Sequence, residues 1–216
     1  VFYVLVTGVS ALVTFGFAFL ILKLSHRYRL YPKVRERDVH TRPTPRLGGI
    51  AMFLGMIVAF IIASRLPSMS LIFSEPLKVW GLFAAALIIV LIGVADDIWD
   101  LDWLTKLTGQ LLAGALLAWS GIQFLSFPLP KLFGAADSSS SVIVTLAPWP
   151  PLVITVIVIV LVMNAINFID GLDGLVSGVA IIANGVFSVY VFFVSSGPTG
   201  QSDYFNLAQL ISAVLI

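Results

Sequence analysis

Four polar side chains interrupt one of the most apolar regions of this sequence. Asn164, Asn167, Asp170 and Asp173 fall within "NAINFIDGLDGL", directly after the uncharged run "LVITVIVIVLVM". A second cluster, "ADDIWDLDWLTK", sets Asp96 and Asp97 side by side at the end of an apolar stretch and adds Lys106. A third, "RERDVHTRPTPRLGG", carries Arg42 and Arg46, the latter held between Pro45 and the Gly48–Gly49 pair.

Each cluster suggests chemistry. Adjacent carboxylates repel and are costly to bury without a cation or a proton. Hard oxygen donors of this kind suit Mg²⁺, which keeps phosphate oxygens in its shell. Asp96 and Asp97 also stand at a helix C-terminus, where negative charge opposes the macrodipole, so a purely stabilising role is disfavoured. Asn164 and Asn167 are spaced i,i+3, and Asp170 continues the spacing, which predicts a shared helix face. Gly171 and Gly174 loosen the chain there and allow Asp173 to be presented from an irregular turn. Arg46 suits a phosphate oxygen. His40 alone is ambiguous. Arg42 could pair with phosphate in the same way as Arg46, whereas the arginines from Arg27 to Arg37 read as ordinary membrane-flanking charge, and Asp100 and Asp102 as solvated carboxylates. Together the clusters fit a doubly anionic problem, a lipid phosphate on one side and a nucleotide diphosphate on the other.

Several apolar elements must position these groups. The 216 residues are 59% hydrophobic and 11% charged, and a soluble domain has about 25% charged residues. The mean hydropathy of +1.06 agrees with an integral membrane protein. The absence of cysteine excludes disulfides and thiolate-bound metals. With spans of about 20 residues, the candidates are 1–24, 48–66, 79–95, 107–127, 152–163 with part of the adjoining polar segment, and 175–194, and a seventh begins near Leu207. The fold class is therefore all-α, a polytopic transmembrane helix bundle; the alternating ten-residue segments of a barrel do not occur. The loops at 128–150 and 195–206, rich in Pro, Ser and Gly, read as spacers, as does 67–78. The whole of 1–216 reads as a single membrane-embedded domain. The apolar start without Met and the apolar end lead to the expectation of a chain truncated at both ends.

Lysine and arginine orient the bundle. Lys23, Arg27, Arg29, Lys33, Arg35, Arg37, Arg42 and Arg46 surround the first loop, which the positive-inside rule places in the cytoplasm. Counting spans then puts 96–106 and 164–174 on the same face, so all three clusters meet there. Lys106 joins the inside set, leaving Arg65, Lys78 and Lys131 outside.

"RPTPRLGG", "ADDIWDLDWLTKLTGQ" and "NAINFIDGLDGL" resemble the signature segments of the polyprenyl-phosphate N-acetylhexosamine-1-phosphate transferases. The resemblance extends from Arg35 to Gly178 with the motifs in the family's order. The Pro-Arg-x-Gly-Gly form is closer to the branch that starts O-antigen, teichoic acid and arabinogalactan synthesis than to the peptidoglycan branch, which uses UDP-MurNAc-pentapeptide. The resemblance implies transfer of GlcNAc-1-phosphate from UDP-GlcNAc to a polyprenyl phosphate (undecaprenyl or decaprenyl), releasing UMP with Mg²⁺ or Mn²⁺, at the cytoplasmic face of a bacterial plasma membrane. It implies that Asp96 and Asp97 are the catalytic pair, with Asp96 favoured for deprotonating or positioning the lipid phosphate. Asn167 is implied to lie near the metal and diphosphate, Asp170 and Asp173 to hold the uridine nucleotide, and Lys106 to neutralise phosphate charge; Asn164 and Arg46 are expected to bind substrate with them.

Members of the family have about ten transmembrane helices. Their later Gly-Asp-x-Gly metal motif and His-rich segment do not occur in these residues, and both are expected beyond Ile216; the chain alone is expected to hold only part of the site and to be inactive. The lipid bilayer is an expected partner, nucleic acid is not, and a homodimer stays an open expectation. Two other classes compete with the transferase, a transporter with intramembrane carboxylates and a noncatalytic scaffold.

Overall fold

A computed structural model describes residues 2–28, 47–123, 126–129, 142–145, 149–170, 172, 174–195 and 203–215. Among them are seven α-helices: α1 Phe2–Tyr28, α2 Gly48–Ser64, α3 Pro76–Trp99, α4 Trp103–Trp119, α5 Trp149–Ile169, α6 Leu175–Ser195 and α7 Asp203–Leu215. Four of these, α1, α3, α5 and α6, are long and apolar enough to cross a membrane. Helix α2, at 17 residues, is at the short end of the spanning range of roughly 17–25.

The boundaries differ from the sequence reading where local chemistry intervenes. Helix α3 starts at Pro76 rather than Val79, because proline suits the first helical turn. Helix α4 starts at Trp103 rather than Leu107 and stops at Trp119 rather than Phe127. Its stop is a Schellman motif. Gly121 takes φ +95°, its N–H reaches the Ala118 carbonyl, and the Ile122 N–H reaches the Leu117 carbonyl, each at 3.2 Å.

Two of the expected spacers are structured. Pro67–Phe73 forms a 3-10 helix whose Met69 and Ile72 are buried in the core, since these apolar residues follow a proline start. Beyond α4, Ser126–Leu129 (β1) pairs antiparallel with Val142–Thr145 (β2), Ser126 opposite Thr145. The β-branched run "VIVT" favours an extended strand over a spacer.

The core gathers Val6, Ala59, Phe60, Ala63, Met69, Ile72, Val79, Leu207 and Leu210. Phe60 meets Phe73 and Phe83 edge-to-face, with centroids 6.3 and 5.0 Å away. The Ser10 hydroxyl donates to the Val214 carbonyl at 2.9 Å and joins α1 to α7. These residues come from the start of α1, the end of α2, the 3-10 helix, the start of α3 and α7, so the packed core lies at the end of the bundle opposite the α3–α4 turn. Elsewhere the helices present apolar side chains outward, as lipid-facing helices do.

All five tryptophans are largely exposed. Trp99 and Trp103 flank the α3–α4 turn, while Trp80, Trp119 and Trp149 ring the other end of α3, α4 and α5. At 1.5 Å per residue the two levels are about 28 Å apart along α3 and about 24 Å along α4. That matches two aromatic belts bounding a hydrocarbon core of about 30 Å.

Close helix contacts depend on small residues. A methyl added at Gly81 of α3 would stand 2.2 Å from Ser120 Cβ, whereas Gly93 of the same helix has nothing within 4 Å. Gly81→Ala should therefore destabilise the protein in micelles by about 1–3 kcal/mol through overpacking. Gly93→Ala should leave its melting temperature unchanged or raised. Thermal unfolding of both variants checks the pair.

Candidate functional site at the α3–α4 and α5–α6 turns

Helix α3 stays helical through Asp96 and Asp97 and ends at Asp100, which adopts the left-handed conformation (φ 51°, ψ 66°). Aspartate tolerates that conformation better than most residues. The Asp100 N–H bonds the Asp96 carbonyl at 2.9 Å, and the next amide, Leu101 N–H, donates to Asp96 Oδ1 at 3.0 Å. Asp96 thus closes the end of its own helix.

Asp102 then starts α4. Its carboxylate accepts the Thr105 N–H at 3.4 Å and the Thr105 hydroxyl. Asp102 is exposed, as the sequence reading had it, and it is in addition the N-cap of α4; the Asp-x-x-Thr spacing before an apolar run was the available signal. The Thr105 hydroxyl, with its backbone N–H, holds the Asp102 carboxyl below the usual carboxylate range. A folded-state pKa below the unfolded one stabilises above the unfolded value, and the effect is lost as pH falls through the folded one. Lowering the pH from about 5 to about 3 should therefore reduce the melting temperature of the wild type relative to Asp102→Asn, whose cap does not titrate. Parallel melts across that range measure it.

Lys106 lies one turn into α4 and pairs with Asp96 Oδ1, Nζ to oxygen 2.8 Å, both side chains about one-third exposed. Asp96 stands at a helix C-terminus and Lys106 near a helix N-terminus, so each charge opposes its own helix dipole and is answered by the other. A pair placed this way is a poor device for stability alone. It is a reasonable one for holding a cation and a carboxylate ready for an anionic ligand. Asp97 is also half-buried and, as the next residue on α3, points about 100° around the helix from Asp96.

Helix α4 lies between α3 and α5, which scarcely touch each other. On the α3 side, Gly109 admits Ile92: a methyl there would stand 1.8 Å from Ile92 Cδ1. On the α5 side, Gly114 lies against Val156 and Ile159. Also toward α5, Gln110 Oε1 accepts from Asn164 Nδ2 at 2.7 Å. The same Asn164 nitrogen donates to its helix's Val160 carbonyl at 2.8 Å.

The three-residue spacing of Asn164, Asn167 and Asp170 does not keep a shared face. Each step lags by about 60° around the helix. Asn164 is half-buried against α4, whereas Asn167 and Asp170 are exposed at the end of α5. Asp170 still continues the helical bonding, its N–H reaching the Ile166 carbonyl at 3.1 Å. Gly174, at φ +79°, makes the turn into α6.

The structure thus links Asp96, Lys106, Gln110 and Asn164 through α4. Asp97 is the next residue along α3, and Asn167 and Asp170 lie one and two turns beyond Asn164. Arg46, Asp173, His40 and Arg42 lie outside the described residues. Sequence reasoning missed Gln110. A polar residue one turn beyond Lys106 in an otherwise apolar helix was the signal.

For a divalent ion, the hard oxygen donors at this end include the carboxylates of Asp96, Asp97 and Asp170 and the amide of Asn167. Among the described residues no three carboxylate or imidazole side chains converge as a ready-made cage. That is compatible with Mg²⁺, which takes one or two carboxylates and completes its shell with water and substrate phosphate.

The family model described as glycosyl transferase family 4 matches residues 79–216. The chain is 38% identical over 142 residues to a decaprenyl-phosphate N-acetylglucosaminephosphotransferase of Mycobacterium leprae, covering 64% of this chain and 35% of that protein. The Mycobacterium tuberculosis protein of the same description is 37% identical over the same length and coverage. A probable undecaprenyl-phosphate N-acetylglucosaminyl 1-phosphate transferase of Bacillus subtilis is 31% identical over 97 residues, 45% of this chain and 25% of that one. The chain spans about a third of the length of the mycobacterial relatives.

Proposed function

This chain belongs to glycosyl transferase family 4, and on that premise we propose that the whole protein transfers GlcNAc-1-phosphate from UDP-GlcNAc to a polyprenyl phosphate, releasing UMP. The reaction starts a cell-envelope glycan at the cytoplasmic face of the membrane. The observation that carries this reading is the Lys106–Asp96 pair with Asp97 at the level of Trp99 and Trp103. There a lipid phosphate and a water-soluble nucleotide can meet. The names of the relatives support the donor and acceptor, and the basic residues around the first loop support the cytoplasmic face.

Phosphoryl transfer relies on positioning and charge neutralisation more than on covalent chemistry from the protein. An oxygen of the lipid phosphate attacks the β-phosphorus of UDP-GlcNAc. The bond from that phosphorus to the bridging oxygen breaks, and its electrons leave with UMP. Lys106 turns from Asp96 to the incoming phosphate and offsets its charge. Asp97 and Asp96 orient the nucleophile and accept its proton when it arrives as the monoanion. Asn167 and Asp170 hold the donor end.

Asn167 would help hold Mg²⁺ (or Mn²⁺), which would supply charge neutralisation on the diphosphate, while Asp96 and Asp97 serve the lipid phosphate. A transporter would place ionisable groups near mid-membrane; the described carboxylates of this site stand at helix ends.

A donor panel on full-length protein tests the reading. Lipid product should form with UDP-GlcNAc and polyprenyl phosphate and not with UDP-MurNAc-pentapeptide. Product from the pentapeptide donor alone would move the protein to the peptidoglycan branch.

A further inference from the structure

Helix α5 carries Asn167 and Asp170 but has little packing of its own. Only 6% of its most apolar stretch is buried, and its last turn, Ile166–Ile169, is exposed throughout. Shape alone does not fix how that turn is rotated. A helix in lipid has no hydrophobic drive to settle against its neighbour, so small-residue contacts and interhelical hydrogen bonds decide its rotation. Gly114 supplies the close approach, and its neighbours Val156 and Ile159 lie near the middle of α5, before Asn164. At the site end the specific link is Asn164 Nδ2 to Gln110 Oε1 at 2.7 Å.

Lys106 and Gln110 are i,i+4 on α4, one turn apart and about 40° around the helix from each other. The first reaches Asp96 on α3 and the second reaches Asn164 on α5. Helix α4 is in turn fixed at its start by the Asp102 cap. Asn164 stands one turn before Asn167, so its azimuth sets that of the following turn.

We propose that Gln110 and Asn164 form a positioning clamp that sets the rotation of the end of α5, and so holds Asn167 and Asp170 in register with Asp96, Asp97 and Lys106. In this assignment Asn164 is a positioning residue and does not contact the donor. The catalytic consequence rests on the transferase reading above; the geometric one does not.

Two readouts on the full-length protein test the clamp. The first is kinetic. Gln110→Leu and Asn164→Leu should each lower kcat for UMP release by about 10-fold to 100-fold, the range for a misplacement of about 1 Å. The double variant should fall no further, and the thermal midpoint should change little. The swap Gln110→Asn with Asn164→Gln conserves the combined reach of the two amides and should restore most of the rate.

The second readout needs no turnover. These 216 residues contain no cysteine, and Trp99 and Phe168 are 72% and 90% exposed. Spin labels on Trp99→Cys and Phe168→Cys, with any cysteine outside these residues replaced, report the α3–α5 end distance. The distribution should broaden in Gln110→Leu and narrow again in the swap.

Wild-type distances and rates in Gln110→Leu would overturn the clamp. So would loss of donor binding in Asn164→Leu alone, since Asn164 would then touch the donor itself. If the wild type released no UMP, the transferase reading would fail while the distances still decided the clamp.

Discussion

Asp97→Asn in the full-length protein should lower kcat for UMP release by about 100-fold to 1000-fold, the usual cost of removing one preorganised charged group from a reacting centre. Asparagine keeps the size and plane of aspartate, removes the charge and exchanges one acceptor oxygen for an N–H donor. Asp97 is half-buried at the end of α3, and the substitution leaves the Lys106–Asp96 pair intact. The fold should therefore persist with a melting temperature near that of the wild type. Asp96→Asn should cost a similar factor for a different reason. It weakens the hold on Lys106 and the closure of the helix end through Leu101 N–H, so some loss of thermal stability should accompany it. Steady-state UMP release and thermal melts of both variants, made side by side, separate the two roles. Rates within threefold of the wild type in both would remove the pair from the mechanism.

Lys106→Met should lower kcat/KM by about 100-fold while changing stability little. The ion pair is about one-third exposed, and pairs so open to solvent contribute only about 0–1 kcal/mol to folding. The same cation facing a phosphate in a site closed by two substrates is worth several times more, because the effective dielectric falls as water leaves. Activity and stability should therefore respond very differently, and that divergence distinguishes a ligand-directed lysine from a structural one. Lys106→Arg keeps the charge but changes its shape, and should recover part of the loss. Because Asp96 and Lys106 share one interaction, the double variant Asp96→Asn with Lys106→Met should show less than the sum of the two penalties. The measurement is kcat/KM for each substrate alongside the melting temperature.

Much of this arrangement is legible in the sequence, for identifiable reasons. Long uncharged runs mark the helices, and the asymmetry of Lys and Arg marks the side on which the polar clusters should meet. The bilayer restricts backbone geometry so strongly that hydropathy alone recovers a bundle. Asp96, Asp97 and Lys106 stand out because charge is scarce in this chain. Helix ends are less visible. The start of α4 depends on the Asp102 cap and its stop on Gly121, both short-range signals that a hydropathy window averages away. The 3-10 helix Pro67–Phe73 is buried through a few apolar side chains within what reads as a loop.

The largest gap lies between helices. Spacing within one helix predicts which residues share a face, but not which neighbour that face meets. Spacing alone groups Asn164 with Asn167 and Asp170, whereas the structure turns it toward Gln110. The partnership spans 54 residues of sequence, and nothing local to either residue encodes it. Lys106 with Asp96 is easier, because a short turn between two helices brings their ends together by necessity.

In the proposed reaction the phosphoryl group transferred is the β-phosphate of the nucleotide sugar and the acceptor is a lipid phosphate. Full-length protein given UDP-GlcNAc labelled with ³²P at the β-phosphate, together with polyprenyl phosphate and Mg²⁺, tests it most directly. The label should move into the organic phase as a pyrophosphoryl lipid, in one-to-one yield with unlabelled UMP and only when the lipid is present. Label remaining in the aqueous phase as UDP, with the sugar alone on the lipid, would contradict it.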